Sequence, residues 1–355
     1  MLSQGEEDNA GRRKKTQQDD HGFRLGGLLD MRKQVYIATK LPLMLCRSRL
    51  DFDKYFNRQL QRLKTDYIDY YLFHMLSGIS EWEKLRGWDV EKWIQEKKDS
   101  GQIKQIGFSY HGSRDEFLKL LDVYEWDFVQ IQYNYSDEHY QAGVAGLKKA
   151  ADKGIPVMIM EPLLGGQLVR GLPEEAALRF KKTNPDISPA AWALRWLWNQ
   201  PEVTLLLSGM NEIEQLCENI ATAETALPGT LSPEETETFK DVKRIFNSAY
   251  KIHCTGCHYC MPCPCGVNIP MCFSAYNTYY SIGKKTGMTQ YNMSTILSGK
   301  PGYASQCRKC GKCEKHCPQH IEVIKSLGEV SKLMEGTKFK MMRTGIKLLK
   351  KNSSE

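Results

Sequence analysis

The sequence predicts an α/β protein in which a barrel-type parallel sheet is followed by a small cysteine-rich domain. Short, almost continuously apolar strands alternate with helical segments from Gln34 to about residue 223, as in a parallel sheet covered on both faces. The alternation is regular and no Gly-x-Gly-x-x-Gly follows any strand, which favours a barrel over a doubly wound sheet. Ten of the 12 cysteines lie between residues 254 and 317, so they form a region of their own.

Each predicted strand is a short β-rich run, and each is followed by a segment of helical periodicity. The strands are predicted at residues 35–40, 67–74, 104–110, 127–134, 156–161 and 203–208. The helices are predicted at residues 51–63, 83–99, 114–124, 140–153, 189–199 and 211–223. The pair Ser188-Pro189 is typical of a helix start, with a side-chain cap before a proline in the first turn. A further helix opens at Ser232, which has capping-box spacing to Glu235.

Composition excludes several classes of protein. The 355 residues, 41% of them apolar, are enough for two folded domains. The net charge of +7 is local, because 12 Lys or Arg against 5 Glu follow residue 300, and a nucleic-acid-binding face is not predicted. No apolar run approaches the roughly 18 residues of a membrane span, and no signal peptide is recognisable. We therefore expect a cytoplasmic protein rather than a secreted, disulfide-bonded one.

These patterns divide the chain into five predicted parts. They are an atypical, disordered N-terminal segment (1–33), a partial barrel (34–231), a linker helix (232–251), a cysteine-rich domain (252–330) and a basic tail (331–355). Within the first part, residues 22–31 are compatible with a short helix. The apolar stripe at residues 339–351 is typical of a solvated last helix, with a membrane-surface helix as the alternative.

The strongest motif in the chain is Cys307-x2-Cys310-x2-Cys313-x3-Cys317-Pro318, which has the spacing of bacterial ferredoxins. In that spacing three cysteines bind one cluster and the fourth binds a second cluster, so a partner motif is required. The partner is Cys254-x2-Cys257-x2-Cys260-x2-Cys263-Pro264. The sequence therefore predicts two [4Fe–4S] clusters in a small, mainly helical, ferredoxin-like domain, with further helices in the 43 residues between the motifs.

A crossed arrangement assigns the ligands. One cluster takes Cys254, Cys257, Cys260 and Cys317, and the other takes Cys307, Cys310, Cys313 and Cys263. Cys265 rivals Cys263, because only two residues separate Cys260 from Cys263, although the following proline favours Cys263. Structural zinc is the alternative, but two zinc sites usually show separated pairs rather than triplets that end in Cys-Pro.

The remaining cysteines and the lysines of the second motif have simpler interpretations. Cys272 is expected to be an unligated thiol, and Cys46 and Cys217 to be small buried side chains. Lysines at 309, 312 and 315 lie between cluster ligands, where they offset part of the negative charge and are suited to guide an acidic electron-transfer partner. Plain solvation of a surface is the alternative.

Two polar residues end neighbouring predicted strands. Lys40 ends the first strand and His74 ends the second. Either residue alone would usually be an ordinary surface side chain. Because the chemistry of (β/α) barrels lies at the C-terminal ends of the strands, the two together indicate the mouth of an active site.

Six segments, taken in order, resemble the aldo-keto reductase family. They are VYIATK, DYIDYYLFH, IGFSYH, VQIQYNY, IMEPLLGG and LSGMNEIEQLCEN. From about residue 21 to 320, the chain is similar to members of that family that carry a C-terminal two-cluster ferredoxin domain. The resemblance implies a (β/α)8 TIM-type barrel, here incomplete, with its first two strands missing.

The resemblance also implies a function and a set of site residues. The family reduces carbonyl groups with NAD(P)H bound across the barrel mouth, and Lys40 and His74 match its catalytic lysine and histidine. The implied cofactor-binding positions are Ser109, Gln130, Met160, Ser208, Glu218 and Asn219. The substrate would be a small carbonyl compound, and the clusters would exchange electrons with a ferredoxin- or flavodoxin-type protein.

Three departures from the family pattern matter. The catalytic aspartate and tyrosine are not found, since Lys15 and Asp20 stand at their positions. Met160 replaces the tyrosine that stacks on the nicotinamide, and Gln215 replaces the arginine that binds the 2′-phosphate of NADP. We therefore expect an N-terminally truncated or mis-started version of the enzyme. The alternative is a catalytically defective barrel that serves as a scaffold for an electron-carrying ferredoxin module.

Overall fold

The computed structural model describes residues 29–296 and 301–352, with side chains described for residues 31–296 and 301–344. The predicted disordered segment lies largely outside this range, as do Lys15 and Asp20; within it, a 3₁₀ helix spans Leu29–Gln34. The described chain divides into two compact units. One unit contains the residues through Pro162 together with Leu197–Asn211, and the other contains Leu163–Trp196 and the residues from Glu212 onward.

The first unit is built on a parallel sheet of six strands in the sequential order β1 to β6. The strands are β1 (Ala38–Leu41), β2 (Ile68–Phe73), β3 (Ile103–Ser109), β4 (Phe128–Gln132), β5 (Val157–Met160) and β6 (Leu205–Leu206). The helices between them are α1 (Arg49–Leu63), α2 (Ile79–Arg86), α3 (Val90–Asp99), α4 (Arg114–Leu120) and α5 (Gly143–Asp152). All six predicted strands are present, and the predicted barrel-type α/β architecture is confirmed.

The interior strands are buried over most of their length, although Lys104 and Gln105 of β3 are exposed. Every residue of β4 and β5 is buried. Strands β3 and β4 approach so closely at Gly107 that a Cβ there would lie 2.4 Å from the carbonyl oxygen of Phe128. Among the described residues, β1 and β6 each pair with one neighbouring strand only.

Two polar contacts fix β1, the strand that carries Lys40. Asp69 accepts hydrogen bonds from the backbone N–H of Ile37 and from Arg32, both at 2.8 Å. At the other end, the buried Gln59 side chain donates to the carbonyl oxygen of Lys40 at 2.8 Å. Gln59 is itself held by the Tyr71 hydroxyl, also at 2.8 Å. Because both ends of β1 are tied to α1 and β2, the backbone of Lys40 is held firmly.

The second unit is helical. Its helices are α6 (Gln167–Arg170), α7 (Glu174–Thr183), α8 (Pro189–Trp198, whose last two residues belong to the first unit), α9 (Ile213–Thr225), α10 (Pro233–Ala249), α11 (Ile269–Ser281), α12 (Lys284–Thr295), α13 (Lys312–His316), α14 (Val323–Met334) and α15 (Thr337–Asn352). The mainly helical character predicted for the C-terminal domain is confirmed, and α11 and α12 fill the segment between the cysteine motifs. In the part of the chain described, no helix is long and apolar enough to cross a membrane.

Helix α10, predicted as a linker, packs against α7 and α8. It begins with the expected capping box, in which Ser232 Oγ accepts from the Glu235 N–H at 3.1 Å and Glu235 accepts from the Ser232 N–H at 2.8 Å. An ion pair of 2.7 Å joins Glu235 to Arg195, and another of 2.8 Å joins Asp241 to Arg179. The predicted domain limits remain predictions.

Candidate active site and cluster-binding cysteines

Four of the predicted site residues lie in, or directly after, four successive parallel strands. Lys40 is the penultimate residue of β1 and His74 directly follows β2. Ser109, the last residue of β3, is in register with Gln130 of β4, and both side chains are buried. The carboxyl ends of neighbouring parallel strands share one edge of a sheet, so the fold brings these four residues to the same edge.

The loop after β2 is tied to both neighbouring strands. The backbone N–H of His74 donates to the carbonyl oxygen of Leu41 at 3.0 Å. The next N–H, that of Met75, donates to Ser109 Oγ at 3.0 Å. Met75 adopts a left-handed conformation (φ 59°), which turns the chain sharply after His74. The position of His74 is thus set by hydrogen bonds to β1 and β3.

Lys40 is partly buried, and burial disfavours the charged form of its amine. Burial lowers the pKa of Lys40 from 10.5 to about 8, and the carboxylate of Glu161 pulls it in the opposite direction. Glu161 directly follows β5 and has a left-handed backbone (φ 54°). Both the ammonium and the neutral amine of Lys40 are therefore populated near neutral pH.

His74 is held in its neutral form. Burial, to which the positive charges of Lys40 and His111 add, lowers the pKa of His74 to about 3. A neutral imidazole presents one N–H donor and one acceptor nitrogen, so it can orient a polar substrate atom without carrying charge.

The structure adds two residues that sequence reasoning missed, Glu161 and His111. His111 is buried two residues beyond β3, and its Nδ1 lies 3.1 Å from Gln141 Oε1. The Gln141 amide in turn donates to Gln132 Oε1, at the end of β4, at 3.3 Å. Both missed residues are polar side chains that follow a buried strand, the same signal that identified His74.

The other predicted cofactor-binding positions are more dispersed. Met160 is buried as the last residue of β5, and Ser208 is partly buried two residues after β6. Glu218 and Asn219 lie on α9 in the second unit, where Glu218 is exposed and Asn219 is buried. Their cofactor contacts remain predictions.

The cysteines of the first predicted set surround one cavity of the second unit. The cavity is lined by Cys254, Cys257, Cys260 and Cys317, together with the apolar side chains of Ile269, Phe273, Ile321 and Val323. Burial raises the pKa of the Cys260 thiol, and the charges of the neighbouring cysteines raise it further. Three cysteines of one motif and the last cysteine of the other thus line the same cavity, while their role as cluster ligands remains a prediction. Four thiols around a cavity with an apolar wall form a donor set that fits a [4Fe–4S] cluster.

The two cysteine motifs follow the same backbone course. Two residues after the first cysteine of each motif, Gly256 and Lys309 have φ values of 73° and 57°. Two residues later, His258 and Gly311 have φ values of 65° and 74°. These paired left-handed residues curl both loops in the same way, and the Lys309 N–H lies 3.4 Å from Cys307 Sγ.

The repeat continues through the Cys-Pro segments. The N–H of Gly266 donates to the Cys263 carbonyl at 2.9 Å, and the N–H of His320 donates to the Cys317 carbonyl at 3.1 Å. Helix α11 begins six residues after Cys263, and helix α14 begins six residues after Cys317. By this geometry Cys263 is the counterpart of Cys317, and the counterpart of Cys265 is the buried Gln319.

The second predicted set is more open. Cys310 is exposed, whereas Cys307, Cys313 and Cys263 are half-buried. Burial raises the pKa of the Cys313 thiol to about 11. Among the described residues, no group of three or more His, Cys, Asp or Glu side chains is arranged around a single metal ion.

The cysteines outside the two sets differ from one another. Cys272 is buried, with its Sγ 3.6 Å from the carbonyl oxygen of Gly302, and Cys46 is buried as expected. The expectation for Cys217 is wrong, because this thiol is exposed on α9. The helix presents only part of its surface to a core, and residue 217 lies on the other part.

Comparison with known proteins agrees with this organisation. The chain matches the aldo/keto reductase family over residues 25–242 and a 4Fe–4S dicluster domain over residues 253–322. It is 24% identical to an NADH-specific methylglyoxal reductase of Escherichia coli, over 54% of this chain and 70% of the relative. It is 26% identical to a probable aldo-keto reductase of Glycine max, over 53% of this chain and 57% of that protein.

One solved structure was also compared. The holo form of an aldo-keto reductase from Bacillus halodurans aligns with a TM-score of 0.47 and 21% identity, over 62% of this chain and 76% of that one. The family match spans more than half of the chain and contains the whole six-stranded sheet. The protein is therefore a member of the aldo/keto reductase family that carries a 4Fe–4S dicluster domain after its reductase domain.

Proposed function

We propose that this protein reduces a small carbonyl compound with NAD(P)H and holds two [4Fe–4S] clusters that exchange electrons with a separate redox protein. The observation that carries the proposal is the placement of Lys40, His74, Ser109 and Gln130 on four successive strands, at one edge of the sheet, in a chain of the reductase family. Chemistry in this fold takes place at that edge.

The proposed roles of His74 and Lys40 follow from their protonation states. Neutral His74 would orient the carbonyl oxygen through its N–H, since its pKa of about 3 keeps it uncharged at neutral pH. Lys40, with a pKa of about 8, would supply positive charge near the oxygen on which negative charge develops, and its ammonium would give that oxygen the proton that completes the reduction. Ser109 and Gln130 would bind the nicotinamide amide, and the bound cofactor would supply the hydride.

The nucleotide and the substrate class follow from separate observations. Gln215 has no positive charge for a 2′-phosphate, so NADH is expected to bind at least as well as NADPH. One relative is named as a reductase of methylglyoxal, a small aldehyde, which makes small carbonyl compounds the first substrates to test. The proposed location is the cytoplasm, because cluster ligands must stay reduced.

The first test is nucleotide binding to anaerobically purified, cluster-loaded protein, followed by fluorescence titration with NADH and NADPH. Binding that weakens at least tenfold in the Gln130→Ala variant supports the proposed cofactor site. If neither nucleotide binds the loaded protein, the reductase proposal fails, and an electron-carrying scaffold becomes the better description.

The ligand sets rest on the shared backbone course of the two motifs. We assign Cys254, Cys257, Cys260 and Cys317 to one cluster, and Cys307, Cys310, Cys313 and Cys263 to the other. Each cluster would store one electron. The assignment of Cys263 rather than Cys265 is supported by the turn and the helix start that Cys263 shares with Cys317.

A matched pair of variants tests this assignment. Cys263→Ser is expected to lower the iron and sulfide content to about half, while Cys265→Ser retains the full content of about eight iron atoms. The two residues lie two positions apart and are both half-buried, so each variant is the control for the other. Loss of iron from Cys265→Ser alone would reverse the assignment. A colourless protein that contains zinc would refute both clusters.

A further inference from the structure

The two cysteine motifs share a backbone course but differ sharply in charge. From Ile252 to Gly283 the chain contains no Lys, Arg, Asp or Glu. Between Cys307 and Cys317 it contains four cations and one carboxylate, which are Arg308, Lys309, Lys312, Lys315 and Glu314. The positive charge is therefore a property of one motif and not of the domain fold.

These four cations, which we name the basic face, are available to a partner. All four side chains are exposed, and within the described chain none of them forms an ion pair with a carboxylate. Glu314 is only partly exposed, and its Oε1 accepts from the N–H of Ile324 at 2.9 Å at the start of α14. Cys310, which lies between Lys309 and Lys312 in the chain, is exposed as well.

Compensation of cluster charge does not explain the basic face. Two clusters of the same type, each with four thiolates, carry the same negative charge, so compensation would place cations on both motifs. The first motif has none. A negatively charged partner that approaches the second motif would account for this asymmetry.

We propose that the basic face docks an acidic one-electron carrier protein, which exchanges electrons through the cluster bound by Cys307, Cys310 and Cys313. This inference rests on the proposed presence of the clusters. One electron passes in each encounter, so one iron–sulfur centre is reduced as the centre of the carrier is oxidised, or the reverse, and no proton or group is transferred. The more enclosed ligand set, at Cys254, Cys257 and Cys260, would not meet the carrier directly.

The attraction would act mainly on encounter. Unpaired surface charges steer an oppositely charged protein over about a Debye length, roughly 10 Å at 0.1 M salt, and can raise association rates by 10- to 1,000-fold. The steering must therefore weaken with added salt and reverse for a carrier of positive charge.

The test uses the full-length, cluster-loaded protein and two one-electron carriers of opposite charge. The probes are an acidic plant-type [2Fe–2S] ferredoxin and a basic cytochrome c. Affinity is measured by calorimetry, and electron transfer by stopped-flow absorbance, at about 20 mM and about 300 mM salt. The variant is Lys309→Gly with Lys312→Gln, since glycine suits the left-handed backbone. The control, Lys181→Gln with Lys182→Gln, removes two exposed cations from α7.

We expect the acidic carrier to bind, with an affinity and a transfer rate that fall roughly tenfold in the variant and at high salt, and not in the control. Equal effects of variant and control, no salt dependence, or a preference for the basic carrier would overturn the basic face as a docking site. Iron content and cluster absorbance are measured first. Their absence would refute the clusters, whereas loaded protein that does not bind the acidic carrier refutes only the docking proposal.

Discussion

Glu161→Gln is expected to lower the pKa of Lys40 below its value of about 8. Burial moves this amine down from 10.5, and Glu161 opposes the movement. At about 1.4 kcal/mol for each pH unit, the fall corresponds to about 3 kcal/mol in favour of the neutral amine. An opposite charge close by typically shifts a pKa by about one to three pH units, so loss of the carboxylate should lower the Lys40 pKa by about one pH unit or more.

The assay is competitive acetylation across about pH 6 to 11, with the Lys40 peptide quantified by mass spectrometry. The reactive fraction reports the neutral amine directly. Glu96→Gln, which removes an exposed carboxylate from α3 in the same unit, is the control and should leave the Lys40 curve unchanged. A wild-type midpoint near 10.5 would refute the burial of this amine. A midpoint near 8 that does not move in Glu161→Gln would refute the role assigned to Glu161.

The sign of the pH dependence follows from the lowered pKa. Between about pH 8 and 10.5, the unfolded chain binds more protons at Lys40 than the folded chain does, so the free energy of unfolding rises with pH in that window. The rise is at most about 3 kcal/mol. The charge of Lys40 is present below about pH 8, so the proposed carbonyl reduction should decline above that pH.

Three further predictions concern the barrel unit. His74 should remain neutral down to about pH 3, and ¹⁵N-histidine NMR that shows its imidazolium at pH 5 would contradict this. Gly107→Ala should cost about 2–4 kcal/mol in urea denaturation, because its Cβ would meet the Phe128 carbonyl at 2.4 Å; Gly209→Ala, with open space around it, should be near neutral. Asp69→Asn should lower the free energy of unfolding by about 2–4 kcal/mol, because it removes the anion of the half-buried ion pair with Arg32. A decrease below about 0.5 kcal/mol would show that this ion pair stabilises the fold no more than an ordinary surface pair does.

Strand positions were predictable from the sequence, but helix boundaries less so. Strands β4 and β5 are mostly apolar because both of their faces are buried, and such a pattern can be recognised without tertiary information. The helix predicted at residues 83–99 is two helices, since Gly87 ends α2 and Asp89 is left-handed (φ 56°) before α3. Helix α7 was missed because the alternation rule expects one helix after each strand, and several helices follow β5. Strand β6 has two residues rather than six, with β5 as its one neighbour in the described chain.

The site was predictable where the residue itself carried the signal. Lys40 and His74 were found because a charged or titratable side chain at the end of an apolar strand is conspicuous. Glu161 is also a titratable side chain that directly follows an apolar strand. It was missed because the family resemblance drew attention to its neighbour, Met160. His111 lies two residues beyond its strand, and only the folded chain places its charge near His74.

The two cysteine motifs have the same backbone course but differ in charge. Spacing alone left Cys263 and Cys265 open, because the distance from Cys260 differs from the standard spacing. In the structure, the turn and the helix start after Cys263 repeat those after Cys317, which supports the proposed choice of Cys263 over Cys265. Whatever differs between motifs of the same backbone course is free to serve another purpose. The four cations of the basic face are the largest such difference, and their absence from the first motif is the reason to assign them to a partner rather than to the clusters.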